Sequence, residues 1–133
     1  MAKTSTSKVR VRYAETDQMG VVHHGNYAVY LELARIEWLA QYGISYKVME
    51  EEGVMLPVYS MQLEFKKSAY FDDELVIKTT LRKKPTVRIE FDFEIHNQKG
   101  ELLSIASVIL VFLDTQKKRP ISCPEYLLKI LEY

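Results

Sequence analysis

The chain has 133 residues, 47% of them apolar, which is enough for one packed domain over residues 1–133 and too many for a disordered chain. Its 18 basic and 18 acidic residues cancel, so no net field draws it to nucleic acid or to an anionic membrane. A single cysteine, a polar start (MAKTSTSK) and no run of membrane-spanning length point to a cytoplasmic protein without an internal disulfide.

Residues 1–7 are small and polar and read as a loose end. From Lys8 to Tyr13 apolar and basic residues alternate, as in a half-buried strand. The loop YAETDQMGVVHHGNY follows, and NYAVYLELARIEWLAQYG over 26–43 predicts a long helix. Tyr27, Tyr30, Leu31, Ala34, Trp38 and Tyr42 form one apolar stripe; Val29, Leu33, Ile36 and Ala40 form a second, so the helix should be buried on nearly every side. Asn26 or Gly25 suits its start and Gly43 its end.

Residues 45–52 read as a short exposed helical turn. Strand patterns then occupy 58–66, 74–82 and 86–96, the last with Val87, Ile89, Phe91, Phe93 and Ile95 on one face. Asn97-Gln98-Lys99-Gly100 is a hairpin turn, and 102–113 is apolar on both faces, as in a strand covered on both sides. A short amphipathic helix over 124–133 closes the chain, with Ser122 or Cys123 near its cap and Pro124 in its first turn. One long helix against five mostly antiparallel strands predicts an α+β fold in which the sheet wraps around the helix.

Few residues suit metal or covalent chemistry. The three histidines, His23, His24 and His96, lack ligand spacing, and Cys123 has no base near it in sequence. Lys66-Lys67 and Arg82-Lys83-Lys84 are basic clusters at strand ends, fit either for a solvated edge or for a nucleotide phosphate. The loop before the long helix is the stronger candidate. Amides at a helix start lack intrahelical partners, and His24, Gly25 and Asn26 are placed to present them. Gly25 adds room for a close approach, and Asp17 lies just upstream. A carboxylate facing such donors suits acyl transfer to water, although Asp17 also reads as a turn cap.

The run Tyr13…Glu15-Thr16-Asp17-x-x-Gly20-x-Val22-x-His24-x-x-Tyr27…Glu32-x-Ala34-Arg35 resembles the 4-hydroxybenzoyl-CoA thioesterase family, in particular acyl-CoA thioesterases of the type encoded with the Tol–Pal system. The resemblance covers essentially the whole chain. It implies a hotdog fold, hydrolysis of an acyl-CoA thioester with no metal or organic cofactor, and Asp17 as the catalytic carboxylate. It places the helix-start amide at about His24 or Gly25 and leaves either His23 or His24 to meet the substrate. Tyr27, Arg82, Lys83 and Lys84 are the expected substrate-binding residues, and a homodimer or homotetramer with sites between subunits is expected. Some hotdog thioesterases carry the carboxylate on the helix, which makes Glu32 the competitor of Asp17. The alternatives are a hotdog hydratase or dehydratase and a non-enzymatic acyl-CoA-binding protein.

Overall fold

The computed structural model describes residues 3–133. Strand β1 (Lys3–Arg10) leads through a 3-10 turn (Tyr13–Glu15) into helix α1 (Asn26–Gln41) and the short helix α2 (Tyr46–Glu51). Strands β2 (Val54–Met55), β3 (Val58–Phe65), β4 (Glu74–Leu81), β5 (Arg88–His96), β6 (Leu102–Val111), β7 (Leu113–Asp114) and β8 (Arg119–Pro120) precede helix α3 (Glu125–Ile130). The main sheet runs β1-β4-β5-β6-β3 with every pairing antiparallel, and β2-β7-β8 form a small second sheet. This is the expected hotdog arrangement, a five-stranded sheet around one long helix. No helix among the described residues is long and apolar enough to cross a membrane.

Helix α1 buries Tyr27, Tyr30, Leu31, Ala34, Trp38 and Leu39 against the sheet. Trp38 packs edge-on to Phe91 of β5, with ring centroids 4.9 Å apart. The helix ends in a Schellman motif: Gly43, at φ +78°, donates to the Ala40 carbonyl, and Ile44 donates to Leu39. Beyond it, α2 is less exposed than its sequence suggests, because Met49 is buried. Leu75, Ile77, Thr79 and Leu81 of β4 and Ile89, Phe91, Phe93 and Ile95 of β5 line the core, as their alternation predicts. Pro124 stands at the N-cap of α3 rather than inside its first turn.

Two further expectations need correction. Residues 3–7 belong to β1, which ends at Arg10, while Tyr13 sits exposed in the 3-10 turn. Nothing apolar marks these residues, but pairing with β4 holds them, and Ser5 and Ser7 are small enough to be buried there. Trp38 Nε1 also donates to the Lys3 carbonyl at 3.0 Å. The second correction concerns the other stripe of α1. Val29 is 53% and Leu33 42% exposed, because the sheet wraps only one side of the helix. Strand β3 is likewise a sheet edge. Of its apolar face, Met61 and Leu63 are half-buried, while Tyr59 and Phe65 are exposed.

Candidate active site

The loop between β1 and α1 is held by Glu15. Its Oε1 accepts from the Arg12 amide and from the Tyr30 hydroxyl, both at 2.8 Å. Its Oε2 accepts from Arg12 Nε and Nη2 at 3.0 and 2.9 Å. Burial pushes this carboxyl's pKa up, but the bonds from Arg12 and Tyr30 outweigh it and hold the group below its ordinary value. The Tyr30 hydroxyl is pushed the other way, by burial first and then by its bond to the carboxylate. The Glu15 carbonyl also accepts from the His23 amide at 2.9 Å and from Asn26 Nδ2 at 2.8 Å. Asn26 thus ties the loop to α1 instead of capping the helix.

Asp17 lies on the turn that this frame supports. Its amide donates to the Val21 carbonyl, its carbonyl accepts from Gly20, and its Oδ1 accepts from the Met19 amide at 2.8 Å. Gly20 closes the turn at φ +81°, a conformation that L side chains rarely adopt. Val22 docks the far side by donating to the Ala69 carbonyl. The turn-cap role of Asp17 is therefore real, and it leaves Oδ2 without a hydrogen-bond partner among the described residues.

The helix start differs in one respect from the reading of the sequence. Gly25 donates its N–H to His23 Nδ1 at 3.1 Å, and Asn26 donates to the His23 carbonyl at 2.9 Å. The His24 N–H has no partner among the described residues, which leaves it as the available donor. The two imidazoles stack, with centroids 4.2 Å apart. A Cβ on Gly25 would come within 3.1 Å of His23 Nδ1, so the glycine admits the ring rather than a ligand.

Asp17, His24 and Tyr27 line one depression of about 300 Å³, together with Phe65, Lys66 and Lys67. His23 is not among its lining residues. Tyr27 is buried, and its ring meets Phe65 edge-on at 5.1 Å. Arg82 and Lys83 lie elsewhere. Arg82 grips Asp92 at 2.7 and 3.2 Å and Glu90 at 3.0 Å, and Lys83 meets Glu90 at 2.9 Å. Within one chain neither they nor Lys84 line the depression at Asp17. Lys66 and Lys67 do line it, in exposed pairs with Glu64 and Glu101, which constrain them little.

A second cavity, of about 280 Å³, lies between α1 and the sheet, walled by Ala28, Leu31, Met61, Phe93 and Val108, and shares no lining residue with the first. Glu32 and Arg35 line it as well, and meet each other at 3.4 Å, the i,i+3 pair their spacing predicts. Glu32 is thus separated from the depression that holds Asp17. A third hollow, of about 630 Å³, is a trough on the outer sheet face beside Gln62, Arg82 and Glu94 and includes no residue of the loop. Cys123 is buried and its thiol is pushed up to about 12, chiefly by that burial, so it is no ready nucleophile. Among the described residues no three His, Cys, Asp or Glu side chains are grouped to hold a metal ion.

An antiparallel five-stranded sheet wrapped on one long helix defines a hotdog protein. The chain belongs to the thioesterase-like superfamily, whose pattern matches residues 11–131. It is 34% identical over 117 residues to the acyl-CoA thioester hydrolase YbgC of Escherichia coli O6:H1, covering 88% of this chain and 87% of that one. It is 33% identical over 117 residues to the candidate acyl-CoA thioesterase YneP of Bacillus subtilis, covering 88% and 85%. The crystal structure of a DHNA-CoA thioesterase from Staphylococcus aureus superposes with a TM-score of 0.91 at 36% identity, covering 97% of this chain and 87% of that one.

Proposed function

We propose that the protein hydrolyses acyl-CoA thioesters at the depression shared by Asp17 and His24. The observation that carries this is that both line one depression beside the start of α1, where the His24 N–H is uncommitted. The thioester oxygen accepts from that N–H, and the partial positive charge of the helix end favours the oxyanion. Asp17 takes a proton from water, and the water oxygen attacks the carbonyl carbon. The C–S bond then breaks, and the CoA sulfur leaves with the proton from Asp17. Direct attack by Asp17 on the carbonyl breaks the C–S bond and expels CoA as thiolate; water then opens the resulting anhydride, and one of the water protons ends on the CoA sulfur. The His24 imidazole, beside Asp17, orients water or substrate. The acyl group lies along the α1–β3 seam, past Tyr27 and Phe65.

Lys66 and Lys67 grip CoA phosphates at the mouth, and the Arg82–Lys84 turn of a second copy reaches the same nucleotide. Two features support such a pair of copies: β3 is an unpaired sheet edge, and it carries exposed Val58, Tyr59 and Phe65. Sedimentation should give a dimer or a multiple of it at micromolar concentration; an active monomer would remove the shared site. Thiol release from a panel of acyl-CoAs, beside hydration of crotonyl-CoA, tests the reaction. Hydration without thiol release, or tight binding without either, would replace hydrolysis by one of its alternatives.

A further inference from the structure

His23 has its backbone fixed on both sides. Its N–H donates to the Glu15 carbonyl and its carbonyl accepts from the Asn26 amide, both at 2.9 Å. The ring adds a third bond, in which Nδ1 accepts from the Gly25 N–H at 3.1 Å. That is the pattern of an Asx turn, where a side-chain acceptor at the first position takes the N–H two residues on. Here an imidazole nitrogen stands in place of an amide or carboxylate oxygen. The same ring stacks on that of His24, with centroids 4.2 Å apart and planes 29° from parallel. Yet His23 is not among the residues that line the depression of Asp17 and His24, and the proposed reaction gives it no step.

We infer that His23 is a positioning residue for this site: its ring closes the turn onto Gly25 and braces the His24 imidazole, so that the N–H and the ring of His24 are held ready for the thioester. The inference rests on the thioesterase reading and deepens it. Within residues 23–26, the His24 N–H alone has no partner among the described residues, because Gly25 and Asn26 both donate to His23. A donor fixed before the substrate arrives costs no reorganisation at the moment of reaction. The bond to Gly25 also sets the tautomer. A ring nitrogen that accepts carries no proton, so the proton of the neutral His23 ring lies on Nε2. Gly25 fits the same role. Its φ of −62° and ψ of −23° suit any L residue, so the backbone does not require glycine there. What glycine provides is room for the ring, since a Cβ would come within 3.1 Å of Nδ1 and 3.3 Å of Cε1.

The test measures thiol release by His23→Ala, His23→Asn and Gly25→Ala against the wild-type protein, with circular dichroism to verify folding. His23→Ala should lower kcat about 10-fold and change KM by less than about twofold, the mark of a contribution made in the transition state. His23→Asn supplies an Oδ1 that accepts the Gly25 N–H, and should recover part of the loss. Gly25→Ala keeps an allowed backbone but crowds the ring, and should fall as His23→Ala does. Unchanged kcat in His23→Ala or Gly25→Ala, whatever happens to Tm, overturns the inference. So does a rise in KM at constant kcat, which would make His23 a substrate contact. Nitrogen NMR reads the ring without turnover. At about pH 8, where an unperturbed imidazole is neutral, His23 should carry its proton on Nε2. The Gly25 amide should exchange with solvent faster in His23→Ala than in the wild-type protein. A proton on Nδ1, or equal exchange of the Gly25 amide in the two proteins, overturns the inference. Absence of thiol release from every acyl-CoA overturns hydrolysis instead, while the tautomer and the Gly25 exchange still judge His23.

Discussion

Tyr30, in the second turn of α1, donates to Glu15 Oε1 at 2.8 Å and so fastens the loop that carries Asp17 to that helix. The bond is buried, and Oε1 has one other partner, the Arg12 amide. Tyr30→Phe should cost about 1–2 kcal/mol, the price of leaving a charged acceptor half-paired. Urea unfolding of the two proteins measures this; equal midpoints and slopes would show that the loop holds without Tyr30.

The same bond sets a pH dependence. The folded-state pKa of Glu15 is depressed, so its stabilising contribution is complete above the ordinary carboxylate range, at about pH 4.3, and is lost as pH falls through the folded value. Glu15→Gln should therefore be less stable than wild type at pH 7, and the gap should narrow steadily below about pH 4. Urea midpoints at pH 7 and at pH 3 give the comparison. A gap that is constant with pH would mean that Glu15 acts through shape and not through charge.

Much of this architecture is legible in the sequence because burial follows period. The alternation in β4 and β5 predicts their inner faces, and the Tyr27–Trp38 stripe predicts which side of α1 meets the sheet. Residues 3–7 are not legible, since Ser5 and Ser7 are buried by strand pairing and small size, which leave no apolar period. Nor can a period say whether a covering surface comes from the same chain, so Val29 and Leu33 read as core and stand exposed. Asp17, His24 and Tyr27 were within reach of a local reading because they share one loop and helix start. The loss of the Gly25 N–H to His23 depends on a side-chain rotamer, which no spacing encodes. The burial of Arg35 is hidden for another reason: a charged residue on a helix is ordinarily at the surface.

The two basic clusters can be separated by mixing subunits. Arg82→Ala/Lys83→Ala/Lys84→Ala should raise KM more than it lowers kcat, since the proposed phosphate binding would be shared by ground and transition states. Mixed with Asp17→Asn chains, these variants should form hybrid dimers in which one site has both Asp17 and an intact basic turn from the other subunit, if the proposed shared site is right. Such mixtures should recover low-KM turnover that neither homodimer shows. Lys66→Ala/Lys67→Ala, whose lysines line the depression of Asp17 in the same chain, should gain nothing from the same mixing. Recovery by both variants, or by neither, would contradict this division of the nucleotide contacts.

Asp17 and Glu32 remain to be told apart by chemistry. Asp17→Asn keeps an oxygen to accept from the Met19 amide, so the turn and the fold should persist. It removes the basic oxygen, and kcat should fall roughly 10²- to 10⁴-fold, about 3–5 kcal/mol in barrier, with a smaller change in KM. Glu32 lines the other cavity, paired to Arg35, so Glu32→Gln should act mainly on KM and on the choice of acyl group, with kcat changed only several-fold. Thiol release measured in parallel, with circular dichroism to verify folding, decides between them. A folded Asp17→Asn protein with near-normal turnover beside an inactive Glu32→Gln protein would move the reacting carboxylate onto α1. The seam between α1 and β3 would then hold the thioester where the acyl chain is placed here, and the depression at His24 would keep only the nucleotide.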